Sequence, residues 1–465
     1  MKIELAKTEI IHFVGIGGIG MSGLALIMQG LGFKVQGSDI TTNKNIERLK
    51  QNKIKVYIGH HKKNIQNSTI LVISSAIKQS NSEILIAKKK QLPIYKRGDM
   101  LAHVVSLLKQ NITIAGSHGK TTTTSLVSGI FAKAKLDPTI INGGVLNSFN
   151  SSAKLGKSDW CILESDESDG SFIKLSPTYS IITNIDQEHM DYYNSMNTLK
   201  ELFKKFIEKT PSFGKSFICL DDKNNKEIIK QVKTKNFHTY GTDKKSQFFI
   251  KNILQSKKFS KFSINIKLPG KKNYNINNLK IPLLGLHNIR NATAAAAVAS
   301  TIGISIKTIK AALKEFRGVQ RRFNEIFTFK KAIFFDDYAH HPTEIKELLN
   351  GVRKVYKNEE IICVFQPHRI SRLKDLKKEF SLSFKNAHSV ILCPIYAAGE
   401  KLKLGFNYHN FAKEIIKNSK VNVFLVNDEI QLAKFVKQNI YGKKIVIGMG
   451  AGSISAWMRN LPKLI

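Results

Sequence analysis

Short apolar runs alternate with helical stretches along almost the whole chain, and this alternation constrains the fold more than any other feature. Residues 10–15, 34–38 and 69–74 are predicted strands separated by helical segments. Strands that alternate with helices form parallel sheets with helices on their faces. The pattern starts again near residue 112 and near residue 317. A chain of 465 residues also exceeds what one hydrophobic core can fill, so we expect several α/β domains.

The predicted architecture has three domains, with boundaries at residues 1–107, 108–316 and 317–465. Two Rossmann-like parallel-sheet domains flank a central P-loop ATPase-like domain. Within the central part, residues 247–283 are rich in lysine and asparagine and alternate only partly, which predicts hairpins or an edge sheet.

Residues 11–33 contain no Asp, Glu, Lys or Arg, so a membrane span or a signal peptide has to be considered. Several glycines interrupt the segment, and no small-residue cleavage site follows it. A buried strand followed by a packed helix explains the same run better. We therefore expect no membrane insertion.

The net charge of +38 raises the possibility of a nucleic-acid or polyanion binder. The lysines are spread along the whole chain, and no basic stripe or row of aromatic residues accompanies them, so no nucleic acid is expected as a partner. The four cysteines lie far apart in apolar stretches, as reduced core residues of a cytoplasmic protein do. For the oligomeric state, monomer and homodimer both stay open.

The first candidate site is the glycine turn GIGGIG at residues 15–20, directly after a predicted strand. Glycines there allow a tight turn and let the N-terminus of a helix approach a phosphate. Asp39, at the end of the next strand, is placed to bind a ribose hydroxyl. Taken alone, the pattern also fits a dinucleotide site of an oxidoreductase, or a turn that only packs.

The second candidate is AGSHGKTTTT, residues 115–124, between a strand and a helix. Backbone amides of such a loop cradle a triphosphate, Lys120 neutralises the terminal phosphates, and Thr121 places its hydroxyl on Mg²⁺. The full Walker spacing requires glycine at position 114, where this chain has Ile114. It is therefore a variant P-loop in which Gly116 and Gly119 make the turn.

Acidic residues are scarce in this chain, yet they crowd the ends of two strands. CILESDESDG contains Glu164, Asp166, Glu167 and Asp169, and TNIDQEHMDYY contains Asp186, Glu188, His189 and Asp191. Carboxylates this close repel one another unless cations or hydrogen bonds compensate them, so a magnesium site is expected. The alternatives are a solvated acidic loop and a structural histidine.

In the last third, DDYAHHPTE at residues 336–344 and FQPHRISR at residues 365–372 each connect a strand to a helix. Ligand crevices form at the carboxyl ends of strands in open α/β sheets, and arginine binds carboxylates and phosphates through its planar fork. His340, His341, His368, Arg369 and Arg372 are therefore candidate ligand-binding residues. The turn GMGAGSIS is interpreted only as a tight turn.

The order of these segments resembles the Mur ligase family over nearly the whole chain. The shared segments are GIGGIGMSGLA, GSD, GSHGKTTTT, NGG, ESDESD, TNIDQEHMD, LGLHNIRNATAAAA, RRF, DDYAHHPTE, FQPHR and GAGSIS. The resemblance implies that the first glycine turn holds the UDP of a sugar substrate rather than a nicotinamide cofactor, so a redox role is set aside.

The resemblance also implies a role for each matching residue. For UDP-N-acetylmuramate, the implied residues are Gly15, Gly17, Gly18, Gly20 and Asp39. For ATP, they are Gly116, Ser117, His118, Gly119, Lys120, Thr121 and Thr122, with Asn288 at the adenine and Arg322 at a phosphate. For Mg²⁺, they are Thr121 and Glu164 at one ion and His189 at a second. For L-alanine, they are Tyr338, His340 and Arg372, with His368 and Arg369 lining the same crevice.

The implied reaction is ATP-dependent ligation of L-alanine to the carboxylate of UDP-N-acetylmuramate through an acyl phosphate, with Lys120, Glu164 and His189 as catalytic residues. Three alternatives are a family member that attaches a ready-made peptide to the same sugar, a UDP-sugar oxidoreductase, and a polyanion binder. The first is disfavoured because GIGGIGMSG, TNIDQEHMD and FQPHR resemble the alanine-adding branch. An oxidoreductase would not account for the P-loop, and a polyanion binder would account only for the net charge.

Overall fold

The computed structural model describes residues 5–147, 151–400 and 407–465, which form three sheets in two compact units. The first unit comprises residues 1–253, 261–281 and 290–319, and the second comprises residues 254–260, 282–289 and 320–465. The α/β fold class with parallel-rich sheets is confirmed, while the domain boundaries at residues 107 and 316 stay a prediction.

The first sheet has five parallel strands in the order β3-β2-β1-β4-β5. The strand order reverses between β1 and β4, and such a reversal opens a ligand crevice at the strand ends. The strands are β1 Ile10–Val14, β2 Lys34–Asp39, β3 Lys55–Ile58, β4 Ile70–Ile73 and β5 Ile94–Lys96. The helices are α1 Ile19–Gly30, α2 Lys44–Gln51, α3 Ser82–Lys89 and α4 Arg97–Ser106.

The central sheet has ten strands in the order β15-β14-β13-β12-β11-β10-β6-β9-β7-β8. The strands are β6 Gln110–Ala115, β7 Thr139–Leu146, β8 Ser151–Lys154, β9 Trp160–Glu164, β10 Tyr179–Ile182, β11 Lys215–Cys219, β12 Phe237–Gly241, β13 Phe248–Gln255, β14 Ser260–Ile266 and β15 Tyr274–Ile281. The helices are α5 Lys120–Lys133, α6 Met190–Tyr193, α7 Met196–Glu208, α8 Lys223–Ile228, α9 Leu286–Ile302 and α10 Ile306–Lys314. Strands β13 to β15 extend one edge, as the pattern of residues 247–283 predicts.

The third sheet has six strands in the order β16-β17-β21-β18-β19-β20, and only β16 is antiparallel to its neighbour. The strands are β16 Asn324–Phe329, β17 Ala332–Asp337, β18 Glu360–Phe365, β19 Ser389–Leu392, β20 Asn422–Leu425 and β21 Lys444–Met449. The helices are α11 Pro342–Val355, α12 Ile370–Asp375, α13 Lys377–Ser381, α14 Tyr408–Ser419, α15 Glu429–Asn439 and α16 Ile454–Leu464.

The uncharged segment of residues 11–33 is a buried strand followed by a packed helix, as predicted. Within residues 5–147, 151–400 and 407–465, no helix combines the length and the apolar character that a membrane crossing requires. The four cysteines are free thiols and all are buried, in agreement with their interpretation as core residues.

Helix α1 lies close against strand β8, so the first and central sheets share a hydrophobic core. The contact depends on glycine. A Cβ on Gly23 would lie 2.8 Å from the Cβ of Ala153, and one on Gly30 would lie 2.6 Å from Cδ2 of Leu155. Because no side chain fits at these two positions, the helix can approach the strand closely, and the two sheets are held as parts of one unit.

Replacement of Gly23 by alanine should lower the free energy of unfolding by about 1–3 kcal/mol, because the added methyl group overpacks the contact with Ala153. Gly129→Ala is the matched control, since the nearest atom to a Cβ there is Cδ2 of Phe316 at 4.0 Å. Alanine favours helix over glycine by roughly 0.5–1 kcal/mol, so the control should be neutral or stabilising. Urea denaturation measures both. Equal effects of the two replacements would contradict the close packing.

Candidate functional site

The first glycine turn is shaped by the end of strand β2. The amides of Gly15 and Ile16 donate to the carbonyl of Ser38 at 2.8 and 3.0 Å, and the amide of Gly17 donates to Oδ2 of Asp39 at 2.8 Å. Gly15 has a φ of +81°, in the left-handed region that favours glycine. Asp39 therefore fixes the turn in the structure, and its contact with a ribose stays a prediction.

Two further glycines of the predicted UDP-sugar site, Gly18 and Gly20, lie at the start of helix α1. Gly18 is the residue before the helix, and no side chain caps the amides there. A Cβ on Gly18 would meet no atom closer than 3.7 Å, whereas one on Gly20 would lie 3.1 Å from Nη1 of Arg97. The helix N-terminus, which no side chain caps, suits a negatively charged group.

The P-loop follows strand β6 and leads into helix α5, and two of its glycines are required by geometry. Gly116 has a φ of +128°, and a Cβ on it would lie 2.1 Å from Oγ1 of Thr183. Gly119 has a φ of +83°, and a Cβ on it would lie 2.8 Å from Oδ1 of Asn291. The sequence interpretation that Gly116 and Gly119 make the turn agrees with these positions. Thr121 and Thr122 lie buried in the first turn of the helix.

The end of strand β10 holds the P-loop in shape. Oγ1 of Thr183 donates to the carbonyl of His118 at 2.7 Å, and Oδ1 of Asn184 accepts from the amide of His118 at 2.9 Å. The amide of Asp186 donates to Oγ of Ser117 at 2.8 Å, and its Oδ2 lies 3.0 Å from Nε2 of His118. These residues belong to TNID, so that segment supports the loop conformation.

Lys120 lies folded against the loop and the acidic turn. Its ammonium donates to the carbonyls of Gly116 and Ser117 at 2.6 and 3.0 Å, and to Oε1 of Glu167 at 2.9 Å. Burial by itself would lower the pKa of Lys120, but the charges of Glu167 and Glu164 outweigh it and hold that pKa above its usual value. The lysine therefore stays charged at neutral pH, as phosphate binding requires.

Glu164 is positioned by the segment NGG, residues 142–144. Its Oε2 accepts from the amide of Gly143 at 2.8 Å, and a Cβ on Gly143 would lie 2.5 Å from its Oε1. A Cβ on Gly144 would lie 2.9 Å from Cγ2 of Thr121. The two glycines thus let a backbone strand approach both Glu164 and Thr121. No role was predicted for NGG, although two adjacent glycines in a strand are a signal of such close approach.

Glu167, Glu188 and His189 form a group whose ligand atoms all lie within 4.8 Å of one another. Both carboxylates are buried, and burial raises the pKa of Glu167 to about 7, which Lys120 offsets only in part. A divalent cation would compensate this concentration of carboxylates, and oxygen donors suit Mg²⁺. His189 is a predicted ligand, and the residues around it fit the ion. Glu164 and Thr121, the other predicted ligands, lie outside this group of three.

Four aromatic rings follow one another in the second unit. Tyr338 and His340 meet edge to face at 5.0 Å between ring centroids, and His340 meets His368 in the same way at 5.9 Å. His368 is in turn stacked on Tyr396 at 5.5 Å. The structure therefore brings together three of the residues predicted to hold L-alanine, and it adds Tyr396. The segment CPIYAAGE after strand β19 could have indicated this residue, because it also lies beyond the end of a strand.

The predicted arginines beside these rings differ in their partners. Nη1 of Arg372 lies 3.4 Å from Nδ1 of His368. Nε of Arg369 lies 3.4 Å from Oε1 of Glu400, and Oε2 of Glu400 accepts from the amide of Ile370 at 2.7 Å. Burial, with the charges of His340, Arg372 and Arg369, lowers the pKa of His368 to about 4. His368 is therefore neutral at physiological pH.

The two remaining predicted ATP residues, Asn288 and Arg322, also lie in the second unit. Nδ2 of Asn288 donates to the carbonyl of Leu284 at 2.7 Å, one turn back at the start of helix α9. The guanidinium of Arg322 lies 5.5 Å from the ring centroid of Tyr338, and its Nη1 lies 3.8 Å from Oε1 of Glu344. Arg322 is thus grouped with the predicted alanine residues.

Three family models match consecutive parts of the chain. The Mur ligase family catalytic domain matches residues 10–109, the Mur ligase middle domain matches residues 114–299, and the Mur ligase glutamate ligase domain matches residues 321–452.

Two relatives are similar along the whole sequence. The UDP-N-acetylmuramate–L-alanine ligase of Pelagibacter ubique is 72% identical over 465 residues, covering 100% of both chains. The enzyme of the same name from Bartonella bacilliformis is 40% identical over 466 aligned positions, covering 100% of this chain and 97% of the relative.

Two solved structures are similar to this chain over nearly its whole length. The UDP-N-acetylmuramate-alanine ligase of Thermotoga maritima matches with a TM-score of 0.81 and 28% identity, covering 97% of this chain and 98% of that one. A murein peptide ligase from Psychrobacter arcticus shares the fold, with a TM-score of 0.72 and 22% identity over 98% of both chains.

Proposed function

The chain belongs to the Mur ligase family, and we propose that it joins L-alanine to the carboxylate of UDP-N-acetylmuramate, converting ATP to ADP and phosphate. The observation that carries this proposal is the 72% identity, over the whole chain, to a UDP-N-acetylmuramate–L-alanine ligase. The product is a precursor of peptidoglycan. We place the reaction in the cytoplasm, in keeping with four buried free thiols and the use of ATP.

The reaction proceeds in two steps. An oxygen of the muramate carboxylate attacks the γ-phosphorus of ATP, and ADP leaves with the electron pair of the broken P–O bond. The resulting acyl phosphate makes the carboxyl carbon electrophilic, which a carboxylate is not. The unprotonated amine of alanine then attacks that carbon. The tetrahedral intermediate loses phosphate, which takes the electron pair of the broken C–O bond, and the nitrogen releases one proton to solvent as the amide forms.

Lys120 and the P-loop support the first step through charge and position. The loop presents backbone amides at the start of helix α5, and Lys120 carries a full positive charge beside them. Phosphoryl transfer is catalysed mostly by positioning and by stabilising charge on the transferring group. For this step Lys120 has to exchange part of its contact with Glu167 for the phosphate oxygens.

The predicted magnesium ligands Thr121, Glu164 and His189 are joined in this proposal by Glu167 and Glu188, which the structure groups with His189. Mg²⁺ held by these residues would supply positive charge to the phosphates. The NGG segment contributes by fixing the direction of the Glu164 carboxylate. His189 has a φ of +57°, so its backbone adopts a conformation that few side chains favour, and this points the imidazole toward the two carboxylates.

We assign L-alanine to the crevice of Tyr338, His340, His368, Arg369 and Arg372. Arg372 has the planar fork that suits the alanine carboxylate. A neutral His368 can accept a hydrogen bond from an N–H of the amine and so help to position it for the attack on the acyl carbon.

The three predicted regions take different substrates in this proposal. Residues 1–107 bind the UDP-sugar through the first glycine turn, residues 108–316 bind ATP, and residues 317–465 bind alanine. Asn288 reads the adenine. Arg322 contacts phosphate, and its place beside Tyr338 also puts it near the amino-acid residues.

The proposed activity is tested by release of ADP and phosphate from the purified protein with ATP and Mg²⁺. Release should require both UDP-N-acetylmuramate and L-alanine, because the acyl phosphate forms on the sugar and is consumed by the amine. Serine, glycine and a tripeptide replace alanine in parallel assays. A tripeptide that is used in preference to alanine would contradict the proposal and indicate the peptide-attaching reaction.

Lys120→Met should reduce kcat by at least about 100-fold, since it removes the charge at the transferring phosphate. Its affinity for UDP-N-acetylmuramate, measured by calorimetry, should stay close to that of the unchanged protein, because the first glycine turn is formed by other residues. Lys109→Met is the control, as Lys109 is an exposed lysine paired with Asp159. Near-normal turnover of the Lys120 variant would remove the P-loop from the mechanism.

Arg372→Met should raise KM for alanine by about 10- to 100-fold, which corresponds to the loss of a hydrogen bond to a charged group. KM for ATP should change far less. Lys374→Met, at an exposed position two residues further along helix α12, serves as the control. Steady-state kinetics with each substrate varied in turn give these values, and equal increases for alanine and ATP would argue against the assigned crevice.

A further inference from the structure

Arg97, the first residue of helix α4, lies between the first glycine turn and the acidic turn that follows strand β9. Its Nη2 is 3.3 Å from Oδ2 of Asp166. On its other side, a Cβ on Gly20 would lie 3.1 Å from its Nη1 and 3.3 Å from its Cδ. The arginine side chain is only 22% exposed, so the guanidinium is held in this position. No sequence pattern singled out Arg97.

The next two residues fasten the start of helix α4 to the same part of the central domain. A Cβ on Gly98 would lie 2.4 Å from the Cβ of Ser171. Asp99 forms an ion pair with Lys174. These contacts place the helix start independently of any ligand, so Arg97 does not depend on Asp166 alone for its position.

On the acidic turn, Asp166 immediately precedes the residue that binds Lys120. Oε1 of Glu167 accepts from the ammonium of Lys120 at 2.9 Å, and Oδ1 of Asp166 accepts from the amide of Ser168 at 3.0 Å. A continuous series of contacts therefore leads from Gly20 through Arg97 and the acidic turn to the lysine of the P-loop.

We propose that Arg97 binds the diphosphate of the UDP-sugar and at the same time holds Asp166, so that it positions the acidic turn that orients Lys120. This inference rests on the proposed function, because it assumes a UDP-sugar at the first glycine turn. A guanidinium has five N–H donors in a fixed plane and can serve two anions at once. Nη2 of Arg97 lies at Asp166, and its Nη1 lies beside Gly20, at the helix N-terminus that no side chain caps and that favours phosphate.

The negative charge of Asp166 gives Arg97 a second effect on the binding of the diphosphate. Without the guanidinium, the Asp166 carboxylate would face an incoming diphosphate as a second negative charge, and the two would repel each other. Arg97 thus contributes an attraction and screens a repulsion. Removal of the Asp166 charge should therefore restore part of the affinity that is lost when Arg97 is removed.

Binding of UDP-N-acetylmuramate to the full-length protein tests the inference. Arg97→Met should weaken binding about 10- to 100-fold by calorimetry, and Arg97→Lys should weaken it less. The double variant Arg97→Met, Asp166→Asn should bind more tightly than Arg97→Met alone. Binding of a non-hydrolysable ATP analogue should weaken less than binding of the UDP-sugar in all three variants, because Arg97 acts on Lys120 only through the acidic turn, whereas a general disturbance of the fold would weaken both alike.

Lys96→Met is the matched control, since it removes an exposed positive charge next to Arg97 in the sequence. Equal weakening by Lys96→Met and Arg97→Met, or no gain in the double variant, would overturn the role of Arg97. If Arg97→Met does not fold, Arg97→Lys and its double variant with Asp166→Asn decide by the same comparison. An unchanged protein that binds no UDP-N-acetylmuramate would refute the proposed function itself, whereas binding that ignores Arg97 refutes only this inference.

Discussion

The contact between the P-loop and the end of strand β10 is the constraint on which the rest of the site depends. Gly116 and Gly119 give the loop a conformation that other residues rarely adopt. Thr183 and Asn184 hold that conformation by bonding the amide and carbonyl of His118. These hydrogen bonds therefore fix the direction of Lys120 and of the amides at the start of helix α5.

A second constraint is the balance of charge around Lys120. Glu167 and Glu188 are buried close together, and the single ammonium offsets only part of their charge. In a chain with a net charge of +38, acidic side chains are concentrated at two strand ends. These carboxylates lie together beside Lys120. A cation held by them would neutralise the charge of the phosphates, as phosphoryl transfer requires.

Local patterns were sufficient to predict strands β1, β2 and β4, the two glycine turns and the place of Lys120 where the second turn enters a helix, because each depends on neighbours in the sequence. They were not sufficient to pair the acidic residues. The resemblance implied a magnesium-binding role for Glu164 and no role for Glu167, and in the structure Glu167 bonds Lys120 while Glu164 bonds the amide of Gly143. Glu167 and its lysine are 47 residues apart, so no local spacing shows which carboxylate reaches it. The same holds for Arg97 and Asp166, which are 69 residues apart.

The glycines of helix α1 affect the order in which the protein can be assembled during synthesis. Gly23 and Gly30 have no side chains, and Ala153 and Leu155 pack against helix α1 at these two positions. When the first sheet leaves the ribosome, those two residues have not yet been translated. Domains usually fold from the N-terminus as they emerge. Here one core of the first sheet, around Val14, Leu71 and Ile84, needs only residues of that sheet and its helices, whereas the face that carries helix α1 is covered completely only after strand β8 has been made.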